Sequence, residues 1–253
     1  MKGLILCGGY ATRLYPFTID FPKQLMPIAD RPLLDHIMDK LHELPEIEDV
    51  YLVVNERFVK RFEGWASRYR GPKRLSILND HTTSDADKLG AVGDMAFAIE
   101  EAGFAEDLLV MAGDNLIPFS MRELMDFYHA RKGAAVPLYD VGDLELVSRY
   151  SCVEVGPDGR VLSFQEKPKR PKSTLIAICM YVFPAETLGL VRRYLDGGGN
   201  PDAPGHYLAW LHKQVPTYGF KFDGVWFDIG QLDQYCRAYV AYRKPHVEGA
   251  IND

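Results

Sequence analysis

Two glycines and two basic residues near the start of the chain have the types and spacing needed to bind a polyphosphate. Gly8 and Gly9 follow a short apolar run, and Arg13 and Lys23 come soon after them. Glycines at the end of a strand let backbone N–H groups turn toward phosphate oxygens, and the two side chains add fixed positive charge. The spacing matches neither the G-x-G-x-x-G dinucleotide fingerprint nor the G-K-[ST] phosphate loop. The segment therefore predicts a polyphosphate cradle of another type.

A longer pattern distinguishes these glycines from an ordinary tight turn. It reads G-G-Y-A-T-R-L-Y-P-F-T from residue 8, followed by P-K-Q-L-M-P-I from residue 22. It resembles the signature of the sugar-phosphate nucleotidyltransferases, G-G-x-G-T-R-L-x-P-x-T and then P-K-x-L-x-P-I. The resemblance implies the following nucleotide-binding residues: Leu6, Gly8, Gly9, Tyr10, Ala11, Thr12, Arg13, Lys23, Leu89 and Gly90.

Four further segments resemble motifs of the same family, in the family's order. They are residues 89–93, 108–115, 164–168 and 226–230. Each segment alone is weak evidence for the family. An aspartate after a buried strand is more often a cap or turn residue, and a Glu-Lys pair is commonly a solvated surface pair. Their shared order favours membership of the family.

The resemblance also implies residues for a metal ion and for the second substrate. Asp114 and Asp228 are expected to bind Mg²⁺ as the cofactor. The expected acceptor-binding residues are Asn115, Glu166, Lys167 and Cys179. The expected catalytic residues are Arg13, Lys23 and Lys167, since they would hold or flank the reacting phosphates.

The implied reaction is attack by a phosphate oxygen of the acceptor on the α-phosphorus of a nucleoside triphosphate, with pyrophosphate leaving. Two anions must come together, so cations and preorganised donors lower the barrier by reducing charge repulsion and fixing orientation. The attacking phosphate is already ionised at neutral pH, so no general base is required. We expect an enzyme that forms a nucleoside diphosphate sugar from a sugar 1-phosphate.

Two positions depart from the family's pattern. Ala11 stands where the third glycine is expected, and a positive φ there would cost alanine about 1 kcal/mol. Cys179 lies where relatives usually carry glycine beside the sugar, so it is expected to reshape the acceptor pocket.

Three other functions share part of this sequence pattern. A cytidylyltransferase acting on a non-sugar phosphate such as phosphocholine shares the N-terminal signature. A catalytically inactive, nucleotide-binding regulatory relative is favoured by Ala11 and Cys179, but the retained basic and acidic motif residues argue against it. An NAD-dependent oxidoreductase lacks its required glycine spacing.

Apolar runs separated by amphipathic stretches predict the elements that position these residues. The runs are residues 3–7, 50–54, 75–78, 108–112 and 134–138. Their alternation with helical segments, including residues 33–41 and 121–131, favours a Rossmann-like α/β fold, with a mostly parallel sheet flanked by helices.

The pattern changes beyond about residue 140. Residues 152–155, 161–164 and 176–183 are interpreted as strands of a β-rich acceptor-binding lobe, with a hairpin turn at 156–159. Residues 197–205 are expected to be a loop at the edge of the active site. We predict one domain over residues 1–253, with a nucleotide-binding part (1–140), then an acceptor lobe and a C-terminal helix (141–253), and no additional β-helix domain.

Composition and net charge limit the classes of molecule that the protein is expected to bind. The 253 residues carry a net charge of -6, which provides no general attraction to nucleic acid or to an anionic membrane. No export signal or membrane-spanning segment is recognisable, and the four cysteines lie far apart, so a cytoplasmic location is expected. The expected partners are a nucleoside triphosphate and a phosphorylated small molecule, and a homo-oligomer is left open.

Overall fold

Strands and helices alternate along the first half of the chain in the computed structural model, which describes residues 1–243. The strands are β1 (Lys2–Cys7), β2 (Pro27–Ile28), β3 (Arg31–Pro32), β4 (Asp49–Val54), β5 (Arg74–Asn79), β6 (Leu108–Ala112), β7 (Asn115–Leu116), β8 (Ala134–Asp140), β9 (Ser151–Val155), β10 (Val161–Glu166), β11 (Leu175–Ala177), β12 (Met180–Phe183), β13 (Thr217–Phe222) and β14 (Phe227–Asp228). The α-helices are α1 (Leu33–His42), α2 (Val59–Ala66), α3 (Ala91–Ala102), α4 (Met121–His129), α5 (Leu144–Val147), α6 (Gly189–Asp196), α7 (Pro204–Leu211) and α8 (Leu232–Arg243). Short 3-10 helices span Thr12–Leu14, Lys23–Leu25 and Ala185–Thr187.

Eight of these strands form one central sheet. Its order is β11-β8-β12-β6-β1-β4-β5, and β13 also pairs with β8. Strands β6, β1, β4 and β5 are mutually parallel, so their carboxyl ends and the loops after them lie at one edge. Strand β12 runs antiparallel to both β6 and β8. The predicted Rossmann-like, mostly parallel sheet is confirmed, and ligand sites are expected at this carboxyl edge.

The central sheet separates two apolar cores. Side chains alternate along a strand, so Ile5 and Cys7 of β1 face one core while Leu4 and Leu6 face the other. Helices α1, α2 and α4 cover the first core, and α3, α6 and α7 cover the second. The predicted apolar face of α1 is confirmed, because its leucines, isoleucine and methionine at three-to-four spacing are all buried.

The strands of the second half divide between the predicted lobe and the central sheet. Strands β9 and β10 form an antiparallel hairpin around residues 156–159, as the turn signal predicted. The run predicted as one strand at 176–183 is two strands, β11 and β12, which join the central sheet together with β13. Every side chain of β12 is buried, and a strand that is apolar on both faces fits the interior of a covered sheet.

Helix α8 ends the described part of the chain and agrees with the C-terminal helix predicted within residues 141–253. Residues 244–253 of the predicted second half lie outside the described residues. Within residues 1–243, no helix combines the length and the apolar character needed to cross a lipid bilayer.

Candidate active site

The loop after β1 has a backbone conformation that costs alanine free energy. Ala11 lies in the left-handed region, at φ 49° and ψ 43°, which is the condition under which strain was expected there. The Thr18 hydroxyl donates a 2.8 Å hydrogen bond to the Ala11 carbonyl oxygen and so holds this conformation. A Cβ atom at Gly9 would meet no atom within 4 Å, so the loop is open on that side.

This loop borders a first cavity of about 320 Å³ at the carboxyl edge of the sheet. The predicted site residues that line it are Leu6, Gly8, Gly9, Ala11, Lys23, Gly90, Asp114, Asn115, Cys179 and Asp228. Tyr10, Thr12 and Leu89 line neither this cavity nor the second one described below. The Tyr10 side chain is buried instead, with its hydroxyl 3.1 Å from that of Thr82.

Gly90 brings the segment before α7 against the start of α3. It has φ 79°, and a Cβ atom there would lie 2.6 Å from the Pro201 carbonyl oxygen. The Val92 N–H donates a 2.8 Å hydrogen bond to the same oxygen. Asp202 and Pro204 therefore form part of the cavity wall, in the segment that the sequence predicted at the edge of the site.

A chain of polar contacts orients Asp114 at the floor of the first cavity. The buried Lys23 ammonium lies 2.6 Å from Asp114 Oδ2, and the Asn115 amide donates a 2.7 Å hydrogen bond to Asp114 Oδ1. The Trp226 indole N–H donates in turn to Asn115 Oδ1 at 2.7 Å. Residues from three separate segments thus fix one carboxylate.

Strand pairing brings Asp228 to the same place. Strand β14 pairs antiparallel with β7, which sets Asp228 opposite Asn115. Burial raises the pKa of Asp228, the charge of Asp114 raises it further, and Lys23 and Arg13 lower it. The two predicted metal-binding carboxylates therefore interact, although 114 and 228 are far apart in the sequence.

This carboxylate pair fits a hard divalent cation. Within the described chain, no group of three or more His, Cys, Asp or Glu side chains is arranged to hold a metal. Asp114 and Asp228 supply oxygen ligands, and their mutual repulsion is the kind that a cation relieves. Mg²⁺ commonly takes one or two carboxylates and completes its shell with water and substrate phosphates.

A second cavity, of about 720 Å³, adjoins the first. The two share Tyr150, Ala177, Cys179, Asp202, Pro204 and Asp228. The second cavity is also lined by the predicted acceptor residues Glu166 and Lys167. Arg13 also lines the second cavity and does not line the first. It therefore lies nearer to the predicted acceptor residues than was expected for a residue that binds the nucleotide phosphates.

The Glu166-Lys167 segment leaves β10 in an uncommon conformation. Lys167 has φ 46°, and its N–H donates a 2.8 Å hydrogen bond to the Tyr150 carbonyl oxygen. Burial raises the pKa of Glu166, an effect that the positive charges of Lys167 and His206 oppose. The Lys167 ammonium lies 3.9 Å from Glu166 Oε1 and is largely exposed, so it is accessible to an anion in the cavity.

Several lining residues were not predicted. They include Lys88, Asp94, Arg149 and Tyr150. Asp94 carried a signal in the sequence, because it is the one acidic residue within the apolar stretch 91–99. Arg149 and Tyr150 lie two to three residues before the strand predicted at 152–155, but nothing in their local pattern indicated a pocket.

Comparison with known proteins identifies the family of this chain. The model of the family described as "Nucleotidyl transferase" matches residues 2–244. The bifunctional protein GlmU of Methanocaldococcus jannaschii is 26% identical over 233 residues, which cover 91% of this chain and 52% of that protein. Mannose-1-phosphate guanyltransferase of Saccharomyces cerevisiae is 26% identical over 257 residues, which cover 96% of this chain and 64% of that protein.

The fold also matches a solved structure along nearly its whole length. A crystal structure of UDP-glucose pyrophosphorylase complexed with UDP-glucose superposes with a TM-score of 0.80 at 21% identity, covering 95% of this chain and 97% of that one. By contrast, the chain spans only 52% and 64% of the two curated relatives named above.

Proposed function

Because the chain belongs to the nucleotidyl transferase family, we propose that it transfers a nucleoside monophosphate from a nucleoside triphosphate to a sugar 1-phosphate, releasing pyrophosphate. One observation carries the proposal: two cavities meet at Asp228 and Cys179. The first holds the glycine loop and Lys23, and the second holds Glu166 and Lys167. The names of the relatives, which refer to mannose 1-phosphate and to UDP-glucose, support a sugar phosphate as the acceptor.

Each cavity is assigned to one substrate. The backbone of the glycine loop and Lys23 bind the nucleotide phosphates, with the rest of the nucleotide in the first cavity. Glu166 accepts hydrogen bonds from sugar hydroxyls, and Lys167 binds the phosphate of the acceptor. Arg13, on the second-cavity side of Asp228, lies between the two substrates and offsets the charge of both.

Asp114 and Asp228 are the proposed Mg²⁺ ligands. The bound ion would supply positive charge to the reacting phosphates. The chain's own residues bring the acceptor phosphate into line with the α-phosphorus and exclude water from the junction of the cavities. No side chain needs to remove a proton, since the attacking oxygen is already ionised. Cys179, at this junction, limits the size of group that fits against the acceptor phosphate.

A pyrophosphate-release assay tests the proposal. Five nucleoside triphosphates (ATP, CTP, GTP, UTP and dTTP) are each combined with a panel of sugar 1-phosphates and with phosphocholine, and the product is identified by mass. We expect release only when a nucleotide and a sugar 1-phosphate are both present, with loss in EDTA and recovery in excess Mg²⁺. Release with a nucleotide and phosphocholine, but with no sugar 1-phosphate, would instead identify the non-sugar cytidylyltransferase. No release with any pair of nucleotide and acceptor would contradict the proposal.

A further inference from the structure

Asn55 is a buried amide that holds the phosphate loop (residues 8–13) from outside the two cavities. It follows directly after β4, is fully buried and lines neither cavity. Its Nδ2 donates a 3.0 Å hydrogen bond to the Gly8 carbonyl oxygen, and its Oδ1 accepts a 3.0 Å hydrogen bond from the Phe58 N–H. A carbonyl oxygen only accepts and a backbone N–H only donates, so these two partners fix the orientation of the amide.

The direction of the Gly8 carbonyl sets the direction of the next N–H. The peptide between Gly8 and Gly9 is trans, and in a trans peptide the C=O and the following N–H point to opposite sides. The Gly8 oxygen points to Asn55, so the Gly9 N–H points away from it. Strand β1 lies between β4 and β6, so the side opposite Asn55 is that of β6, which Asp114 follows.

The Gly9 N–H is available to a ligand on that side. It makes no backbone hydrogen bond within residues 1–243. Gly9 lines the first cavity together with Lys23 and Asp114, and a Cβ atom at Gly9 would meet no atom within 4 Å. A backbone N–H that faces a cavity beside an ammonium group is a donor suited to a phosphate oxygen.

Two glycines in sequence need a partner that selects one orientation of the peptide between them. Glycine populates positive and negative φ about equally, so the Gly8-Gly9 peptide can flip at little conformational cost. The flipped peptide would turn the Gly8 carbonyl oxygen into the cavity, where it would repel a phosphate. It would also leave the buried Nδ2 of Asn55 without its acceptor, which costs free energy. The hydrogen bond from Asn55 therefore disfavours the orientation that cannot bind phosphate.

We propose that Asn55 is a positioning residue for the nucleotide, because it selects the peptide orientation in which the Gly9 N–H donates to a phosphate oxygen. The inference rests on the proposed function, since it requires a phosphate chain in the first cavity. Asn55 touches no substrate and acts through the Gly8-Gly9 peptide. All nucleoside triphosphates carry the same phosphate chain, so its contribution to affinity is independent of the base.

Asn55→Ser removes the hydrogen bond to the phosphate loop and keeps the one to Phe58. A serine hydroxyl can accept from the N–H three residues on, as at a helix N-cap, but is too short to reach the Gly8 carbonyl oxygen. Calorimetric titration in Mg²⁺ with ATP, CTP, GTP, UTP and dTTP gives the dissociation constants. We expect the Kd of every nucleotide that binds the wild type to rise about ten-fold, by a similar factor for each, because a hydrogen bond to a charged group is weakened. The KM of the acceptor at saturating nucleotide should stay within about two-fold.

A second variant and a control separate this effect from a loss of stability. Asn55→Leu has a similar size and removes both hydrogen bonds, so it should be less stable than Asn55→Ser and show the same loss of nucleotide affinity. Thr187 is buried, donates a 2.7 Å hydrogen bond to the Pro184 carbonyl oxygen and lines neither cavity. Thr187→Val should therefore lower the thermal stability and leave every Kd unchanged.

The wild-type protein provides a test that needs no variant. In protein labelled with ¹⁵N-glycine, the amide proton signal of Gly9 should move downfield when a nucleoside triphosphate binds, because the N–H then donates to a charged oxygen. The signal of Gly103, which lines neither cavity, serves as the reference and should not move.

Three results would overturn the inference. They are an unchanged Kd in a folded Asn55 variant, a Gly9 amide signal that does not respond to bound nucleotide, and losses that differ between bases or raise the acceptor KM equally. The last result would indicate a general distortion of the cavities. Failure of the wild type to bind any of the five nucleotides would instead contradict the nucleotidyltransferase proposal itself, and that outcome is distinct from the other three.

Discussion

Ala11 carries a conformational cost that glycine would avoid. Its left-handed backbone, at φ 49°, lies in the phosphate loop. Ala11→Gly is expected to change the free energy of unfolding by no more than about 1 kcal/mol, in the stabilising direction, because relief of the strain exceeds the added entropy of the unfolded chain. It is also expected to change the affinity for nucleoside triphosphate, since the loop lines the first cavity.

Ala29 provides a matched control for this substitution. It has a similar left-handed backbone, at φ 58°, but lines neither cavity. Ala29→Gly should therefore shift the free energy of unfolding in the same direction and leave nucleotide binding unchanged. Denaturant unfolding and calorimetric titration of both variants make the comparison, and equal effects on affinity would contradict a role for Ala11 in the phosphate loop.

The buried carboxyl of Asp94 should make stability depend on pH. Its pKa is about 8 in the folded protein, against an ordinary value of 3.8, so between these values the folded state retains a proton that the unfolded chain releases. The unfolded state binds fewer protons there, and the free energy of unfolding must fall as pH rises toward 8.

Asp94→Asn removes this proton exchange. The variant should lose less stability than the wild type between pH 5 and pH 8, and the two proteins should differ on the order of 1 to 3 kcal/mol more at pH 8 than at pH 5. Urea unfolding at a series of pH values measures both slopes. Identical slopes would show that Asp94 does not hold a proton in the folded state.

At the scale of elements, the close approach of residues 200–204 to the start of α3 depends on Gly90. Gly90→Ala would place a Cβ atom 2.6 Å from the Pro201 carbonyl oxygen and would retain a positive φ of 79°. We expect a loss of stability clearly greater than 1 kcal/mol and weaker nucleotide binding, because backbone must move to accept the methyl group.

Gly103→Ala is the control on the same helix. Gly103 follows the C-terminus of α3 with φ 61°, and a Cβ atom there would meet no atom within 4 Å. Only the conformational penalty of about 1 kcal/mol applies, so binding should be unaffected. Thermal unfolding and nucleotide titration compare Gly90→Ala with Gly103→Ala. Equal losses of stability in the two variants would contradict the close packing at Gly90.

The elements were predictable to different degrees. Helix α1 and the β9-β10 hairpin followed from periodicity and from a turn signal, because these patterns are local. The assignment of β12 to the interior of the central sheet was not predictable, because pairing with β6 and β8 depends on the whole topology. The site residues differ in the same way. Gly8 and Lys23 belong to a local sequence motif and could be predicted, whereas Arg149 is brought to the second cavity by the tertiary fold and could not.

At the scale of the whole molecule, the account depends on one reaction centre assembled from distant parts of the chain. Asp114 follows β6 of the central sheet, and Asp228 is brought beside it by the pairing of β14 with β7. Lys23, from a third segment, is ion-paired with Asp114 at 2.6 Å. If the two carboxylates hold the same Mg²⁺, the loss of either one removes the same stabilisation of the reacting phosphates.

A double-mutant cycle on kcat/KM for pyrophosphate release tests this claim most directly. Asp114→Asn and Asp228→Asn preserve side-chain shape and remove charge, and thermal unfolding confirms that each variant is folded. We predict that each single variant loses at least about 100-fold in kcat/KM. The kcat/KM of the double variant should be only slightly below that of the less active single variant. Losses that multiply strictly, or near-normal activity of either folded single variant, would contradict a shared reaction centre.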